Sequence, residues 1–115
     1  MTKYHIMEDE TLLVAGETVS GVLAQWINIE INYIKNEIAD GLENTINTEE
    51  RGYGIIEELD RYKQRLKDDE GKKQFDDIFF ILENWEVYSI YDIEFYDFDT
   101  VGDMSNAYNK REESL

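Results

Sequence analysis

The sequence predicts an α+β fold, a small antiparallel sheet with three to four helices, in a single domain over residues 1–115. Three observations indicate this class. Short apolar runs typical of strands lie near both ends of the chain, and apolar residues at helical spacing occupy its middle. In addition, 42% of the residues are apolar, in a chain long enough for one core. Because 13% of the residues are also aromatic, the formal charge of −16 does not indicate a disordered acidic chain. We therefore expect a folded domain with an acidic surface.

The first part of the chain predicts two strands. Residues 4–7 and 12–15 are short apolar runs, and the acidic residues 8–10 between them are typical of a turn. Gly16 and Gly21 then bracket a predicted loop.

A first helix is predicted from about residue 29 to residue 46. The isoleucines near its start alternate as in a strand, but the apolar residues also match helical spacing over five turns. We assign a helix because the helical match is the longer one. The exposed side of this helix should carry four acids, Glu30, Glu37, Asp40 and Glu43.

Two further helices are expected in the middle of the chain. Thr48 is a candidate N-cap of the second helix, and Gly71 should end it. Its buried stripe is predicted to hold Ile55, Leu59, Tyr62 and Leu66. The third helix is defined by apolar residues at i, i+3, i+4 and i+7, namely Phe75, Ile78, Phe79 and Leu82.

A strand is predicted over residues 86–96, which are rich in β-branched and aromatic side chains. Ile93 should point to one face of this strand and Glu94 to the other. Thr100 and Asp103 then form a capping box that opens a short last helix.

The negative charge is unevenly distributed. Residues 74–109 contain nine acids and neither Lys nor Arg, whereas residues 51–73 are nearly balanced. A surface of this kind repels phosphate, so we expect no direct binding to nucleic acid. We also expect no membrane partner. No stretch resembles a signal peptide or a membrane span, and cysteine is absent, which favours the cytoplasm of a host cell.

Catalysis and metal binding are not expected. The one histidine, His5, lies in a predicted strand, and 27 acids make any particular acid pair unspecific. The segment that begins at Asp97 opens like a calcium loop, but Val101 and Tyr108 stand where oxygen ligands are needed. We therefore predict no enzymatic activity, no cofactor and no bound metal.

The excess of acids favours mimicry of DNA charge. Duplex DNA carries one negative charge per ~1.7 Å of its axis, and its binders meet that charge with basic clefts. Alternate residues of a strand lie about 6.5–7 Å apart, so acids on the last strand can be spaced like phosphates while helical acids add a second row. The candidate phosphate-mimicking acids are Glu83, Glu86, Asp92, Glu94, Asp97, Asp99 and Asp103, together with Glu37, Asp40 and Glu43 on the first helix.

Two segments resemble ArdA-type antirestriction proteins. Residues 86–94 are similar to an acidic strand of the form E-x-Y-x-I-x-D-x-E, and residues 98–106 resemble the helix start that follows it in that family. Residues 21–34, around Trp26, are more distantly similar to the entry into the family's first helix. The resemblance covers about a third of the chain, and the family's proteins are longer, with several small domains.

The resemblance implies an inhibitor from a phage or mobile element that occupies the DNA groove of type I restriction enzymes. It extends to the matching acids Glu86, Asp92, Glu94, Asp99 and Asp103, but not to dimerisation, so a homodimer stays open. The expected partner is a DNA-binding host defence protein with a basic cleft.

Two variants of the function stay open. An anti-CRISPR protein that acts on the DNA-reading cleft of an effector fits the same charge argument and is the leading variant within this class. The hypothesis from another class is a toxin-immunity protein or other acidic interaction module, which would bind a basic partner through a few hot spots without DNA mimicry.

Overall fold

The computed structural model describes residues 3–9, 11–39, 46–84 and 93–98. Within these ranges the chain forms, in order, β1 (Tyr4–Glu8), β2 (Thr11–Gly16), α1 (Val19–Ala39), α2 (Ile46–Lys63), α3 (Gly71–Glu83) and β3 (Ile93–Asp97). The strands make an antiparallel sheet in the order β2-β1-β3. The predicted α+β class with a small antiparallel sheet is confirmed.

The central strand of the sheet is β1. Ile6 lies between Val14 of β2 and Phe95 of β3, and all three side chains belong to or pack against the core. The pairing with β2 is irregular, since Ile6 is opposite Val14 but Met7 is opposite Leu12, which leaves Leu13 as the extra residue of a β-bulge.

Helix α1 begins about ten residues earlier than predicted. The hydroxyl of Thr18 accepts a hydrogen bond from the Gly21 N–H at 3.1 Å, so Thr18 caps the helix and Gly21 lies in its first turn rather than in a loop. Val22 and Leu23 in the second turn are completely buried. Burial of these side chains outweighs the low helix propensity of a single glycine.

The second and third helices follow the predicted stripes but not the predicted ends. Helix α2 begins at Ile46, so Thr48 lies inside it and is not its N-cap, and it ends at Lys63, well before Gly71. Gly71 instead begins α3. The predicted core positions are confirmed, because Ile55, Leu59, Phe75, Ile78 and Leu82 are buried and Tyr62, Leu66 and Phe79 pack against them.

The core joins all three helices to one face of the sheet. The Trp26 indole of α1 stacks on Phe75 of α3 with 4.8 Å between ring centroids, and Phe75 lies 5.9 Å from Phe95 of β3. Leu59 adds α2 to the same cluster. These contacts fix the orientations of the helices whose outer faces carry the charge.

The last predicted strand is confirmed where the structure describes it. Ile93 is buried and Glu94 exposed, as the alternation predicts. Residues 86–92 of that strand and the helix expected after Thr100 lie outside the described ranges. Among the described helices, none combines the length and apolar character needed to cross a bilayer.

Candidate binding surface

The ten candidate acids are distributed over several elements. The described ranges contain four of them: Glu37 on α1, Glu83 at the end of α3, and Glu94 and Asp97 on β3. Glu37 is half-buried and the other three are exposed. The remaining six lie outside the described ranges, namely Asp40, Glu43, Glu86, Asp92, Asp99 and Asp103.

On β3 the two candidate acids do not form one row. Glu94 and Asp97 are three positions apart, and side chains at that spacing point to opposite faces of a strand. Glu94 accepts a hydrogen bond from the hydroxyl of Tyr96, two residues along the same face. Asp97 lies 3.4 Å from the Lys3 Nζ and is half exposed. The two carboxylates therefore present charge in different directions.

Two lysines that precede residues 74–109, the segment without Lys or Arg, form ion pairs with acids inside it. Asp76 and Asp77 of α3 lie 3.1 and 3.2 Å from Lys72 and Lys73, one turn earlier on the same helix. Ion pairs as exposed as these contribute little stability, but they reduce the local negative potential. The potential around Asp76 and Asp77 is thus less negative than the absence of Lys and Arg from residues 74–109 predicts.

A second interaction of Asp77 ties α3 to α2. The Tyr62 hydroxyl donates a hydrogen bond to an Asp77 carboxylate oxygen at 2.9 Å. Burial of the phenol, with this hydrogen bond, raises the pKa of Tyr62 to about 12. The same hydrogen bond, with help from Lys73, holds the pKa of Asp77 below its usual value. This hydrogen bond therefore has a structural role, because it joins α2 to α3.

The prediction that Glu30 faces solvent is wrong. The Glu30 side chain is only 2% exposed, and its Oε1 accepts a hydrogen bond from the Trp26 Nε1–H at 3.1 Å. The signal was present in the sequence, because Glu30 stands four residues after Trp26 within the buried stripe of α1. Among the acids whose side chains the structure describes, Glu30 alone is buried, so the others contribute to the surface charge.

Sequence reasoning missed the apolar part of this surface. In the described ranges, five large apolar side chains have 40% or more of their area exposed, and they are Leu12, Ile29, Tyr33, Tyr53 and Phe80. Phe80 is the most exposed, at 64%, and lies one turn from Asp76 and Glu83 on α3. The predicted core positions alone could not identify these residues, because their exposure depends on how the helices pack.

Tyr33 lies in acidic surroundings. Partial burial raises the pKa of its hydroxyl, and the neighbouring Glu37 raises it further by its charge and by a hydrogen bond. Smaller contributions come from Glu30 and from Glu8, which stands at the end of β1.

Comparison with known proteins adds no relative. No protein-family model matches this sequence, and no significant match is found among curated proteins or among solved structures. In the described ranges no group of three or more His, Cys, Asp or Glu side chains is arranged to hold a metal ion. The candidate function therefore rests on the charge and shape of the surface.

Proposed function

We propose that this protein is a DNA-mimic inhibitor from a phage or mobile element that blocks the DNA-binding cleft of a host defence enzyme. The target class is a type I restriction enzyme or a CRISPR effector, with anti-CRISPR activity as the leading variant. The protein acts in the host cytoplasm, binds its partner without catalysis, and needs neither metal nor cofactor.

The observation that carries this proposal is a charge of −16 on a domain whose described residues form an apolar core. Like charges in a folded domain repel each other and lower its stability. Such an excess of acids therefore indicates that the charge serves a function. A basic cleft that binds DNA is the partner with which this charge interacts most favourably, because it holds closely spaced Lys and Arg side chains.

The described geometry supports a distributed mode of binding. Glu83 and Glu94 lie on different elements, and Asp97 points to the opposite face of β3 from Glu94. A partner that surrounds the domain, as a DNA cleft surrounds a duplex, would meet all three. Each carboxylate then contributes a small share of the affinity.

The exposed apolar side chains favour a second candidate, an acidic interaction module of the toxin-immunity type. Charge mimicry by itself needs no exposed aromatic residue, whereas Tyr53 and Phe80 are more than half exposed. In such a module one or two buried anchors would each contribute more than ~2 kcal/mol, with little dependence on salt.

A competition assay separates the two functions. Purified type I restriction enzyme and purified CRISPR effector are each assayed for binding and DNA cleavage with increasing amounts of the protein. For a DNA mimic, duplex DNA displaces the protein from the inhibited enzyme, and affinity falls steeply as salt rises. If DNA and the protein bind the same enzyme together without interference, the mimic hypothesis is wrong.

Two matched sets of charge-neutralising variants locate the surface. Each set changes three exposed acids to their amides, and each includes one acid paired with a lysine. The test set is Glu83→Gln, Glu94→Gln and Asp97→Asn. The control set on α2 is Glu57→Gln, Glu58→Gln and Asp60→Asn.

We expect single changes of the test set to cost up to about 1 kcal/mol each and the triple variant to weaken inhibition strongly. Addition of Glu86→Gln and Asp92→Asn should abolish inhibition without unfolding the domain. The control triple should inhibit nearly as well as the parent protein. Equal losses in the two triples would mean that only net charge matters, and this part of the proposal would fail.

A further inference from the structure

Strand alternation assigns the residues of β1 to two faces of the sheet. Ile6 faces the helices, because it belongs to the core that they form on the sheet. Its neighbours His5 and Met7 therefore point to the opposite face, which we call the second face. Their cross-strand partners point the same way, and these are Ala15 and Leu12 of β2 and Tyr96 and Glu94 of β3.

The second face is buried, although the described helices all pack on the other one. His5 and Met7 are 4% and 1% exposed, and Phe98, directly after β3, is 5% exposed. The Phe98 ring lies on this face, because its centroid is 5.0 Å from the His5 ring and 5.3 Å from the Tyr96 ring. Met7 and Phe98 do not belong to the cluster that contains the buried residues of the three helices. The sheet thus carries a second, smaller apolar layer.

The strands by themselves do not account for the burial of Met7. Side chains stand roughly perpendicular to a sheet, so the end of a side chain stays in water unless another layer lies over it. Leu12 and Glu94, on either side of Met7, are themselves exposed. Met7 is nevertheless only 1% exposed within one copy of the chain. A further segment of the same chain must therefore lie over Met7.

Residues 99–115 are the best placed of the segments outside the described ranges. They follow Phe98 directly, and the Phe98 ring already lies on the second face. Three strands are about 10 Å wide from the first to the third, and a segment of this length extends over about 25 Å even as a helix. Residues 40–45 connect α1 to α2 on the other side of the sheet, and residues 85–92 have to connect α3 to β3.

The sequence of residues 99–115 is suited to an apolar surface. Val101, Met104 and Tyr108 recur at i, i+3 and i+7, which is the spacing of one face of a helix. Polar residues such as Asp103 and Asn106 stand between them. The second face offers methionine and aromatic side chains in turn, and contacts between methionine sulfur and aromatic rings are favourable. The two sets of side chains are therefore complementary.

We propose that residues 99–115 cover the second face of the sheet and bury Met104 and Tyr108 against Met7 and Phe98. The sheet then lies between the helices and this segment, so that β1 is covered on both faces. One consequence rests on the proposed function. Asp103 would stand on the same side of the domain as Glu94, and a basic cleft could contact both acids from one direction.

The chain contains three methionines, Met1, Met7 and Met104, so methyl NMR tests this packing directly. The full chain is produced with ¹³C-labelled methionine methyl groups, and the signals are assigned with the variants Met7→Leu and Met104→Leu. We expect nuclear Overhauser effects from the Met104 methyl to the Met7 methyl or the Phe98 ring. A soluble paramagnetic agent should leave the Met7 and Met104 signals almost unbroadened.

The double variant Met104→Ser, Tyr108→Ser should open the second face. The Met7 signal should then broaden with the paramagnetic agent, and the urea midpoint should fall by about 1 M, because two large side chains lose their burial. The matched control is Asn106→Ser, Lys110→Ser, which changes two polar positions of the same segment and should alter neither quantity. If the first variant does not fold, the Overhauser effects in the parent chain decide.

Three results would overturn the inference. The first is a Met7 signal in the parent chain that broadens as strongly as that of an exposed methyl group. The second is a control variant that opens the second face as much as the test variant does. The third is a set of Overhauser effects that joins Met7 to residues 85–92 and not to Met104 or Tyr108, which would assign the cover to that connection. These outcomes are separate from the proposed function, which fails if duplex DNA does not compete with the protein for its target.

Discussion

The buried Gln74 side chain holds the connection between α2 and α3, and its removal should destabilise the domain. Its Oε1 accepts a hydrogen bond from the Lys67 N–H at 2.9 Å, and its Nε2 donates to the carbonyl oxygens of Lys67 and Asp69 at 3.0 and 2.6 Å. Gln74 is 6% exposed. One side chain thus satisfies three backbone groups of the connection.

The substitution Gln74→Met keeps the length and helix propensity of the side chain and removes all three hydrogen bonds. Three bonds at about 0.5–1.5 kcal/mol each give a loss of about 1.5–4.5 kcal/mol. Because Lys67 and Asp69 are exposed, their backbone groups can turn to water, and we expect the lower part of this range, about 2 kcal/mol.

Urea unfolding measures this loss. With a slope near 2 kcal/mol per M, a loss of about 2 kcal/mol lowers the midpoint by about 1 M. The matched control is Gln64→Met at an exposed position in the same connection, which should change the free energy of unfolding by less than about 0.5 kcal/mol. If the Gln74 variant is as stable as the control, the three hydrogen bonds do not stabilise the connection.

Three further predictions concern packing, pH and metal. Gly71→Ala should lower the free energy of unfolding by about 0.5–2 kcal/mol, because a Cβ there would lie 2.7 Å from the Phe95 ring. This overpacking costs more free energy than the higher helix propensity of alanine contributes. A variant more stable than the parent protein would contradict this. Folding raises the pKa of Tyr62 to about 12 from its usual value near 10. The protonated Tyr62 hydroxyl therefore contributes its full share to the free energy of unfolding below pH ~10, and this share is lost as pH rises through ~12. Urea unfolding at pH 9 and pH 11.5 should therefore show a smaller alkaline loss for Tyr62→Phe than for the parent, and equal losses would refute the assignment. Melting temperatures in calcium and in EDTA should coincide, whereas a rise of several degrees with calcium would reveal a specific site.

Local patterns in the sequence determined most of the elements. The stripes of α2 and α3 and the alternation along β3 predicted which residues are buried, since periodicity assigns side chains to a face before any packing is known. Helix ends were less predictable. Gly21 and Gly71 indicated breaks, but Thr18 caps the first turn of α1, and Gly71 instead lets α3 approach Phe95 closely.

The candidate surface was predictable only in part. The excess of acids is a property of composition, and so is the expectation of a basic partner. The opposite directions of Glu94 and Asp97 follow from strand alternation in the sequence, but the salt bridge of Asp97 with Lys3 requires the pairing of β1 with β3. Contacts between residues far apart in sequence change the local charge, and composition cannot show them.

The sequence by itself determined the α+β class, the apolar stripes and the negative charge, because each depends on residue type and spacing along the chain. Only the tertiary structure decided that Glu30 is buried against Trp26 and that Ile29 and Tyr33 are exposed. The physical reason is the orientation of α1 on the sheet. Its rotation about its own axis selects which acids and which apolar side chains of one amphipathic helix face water.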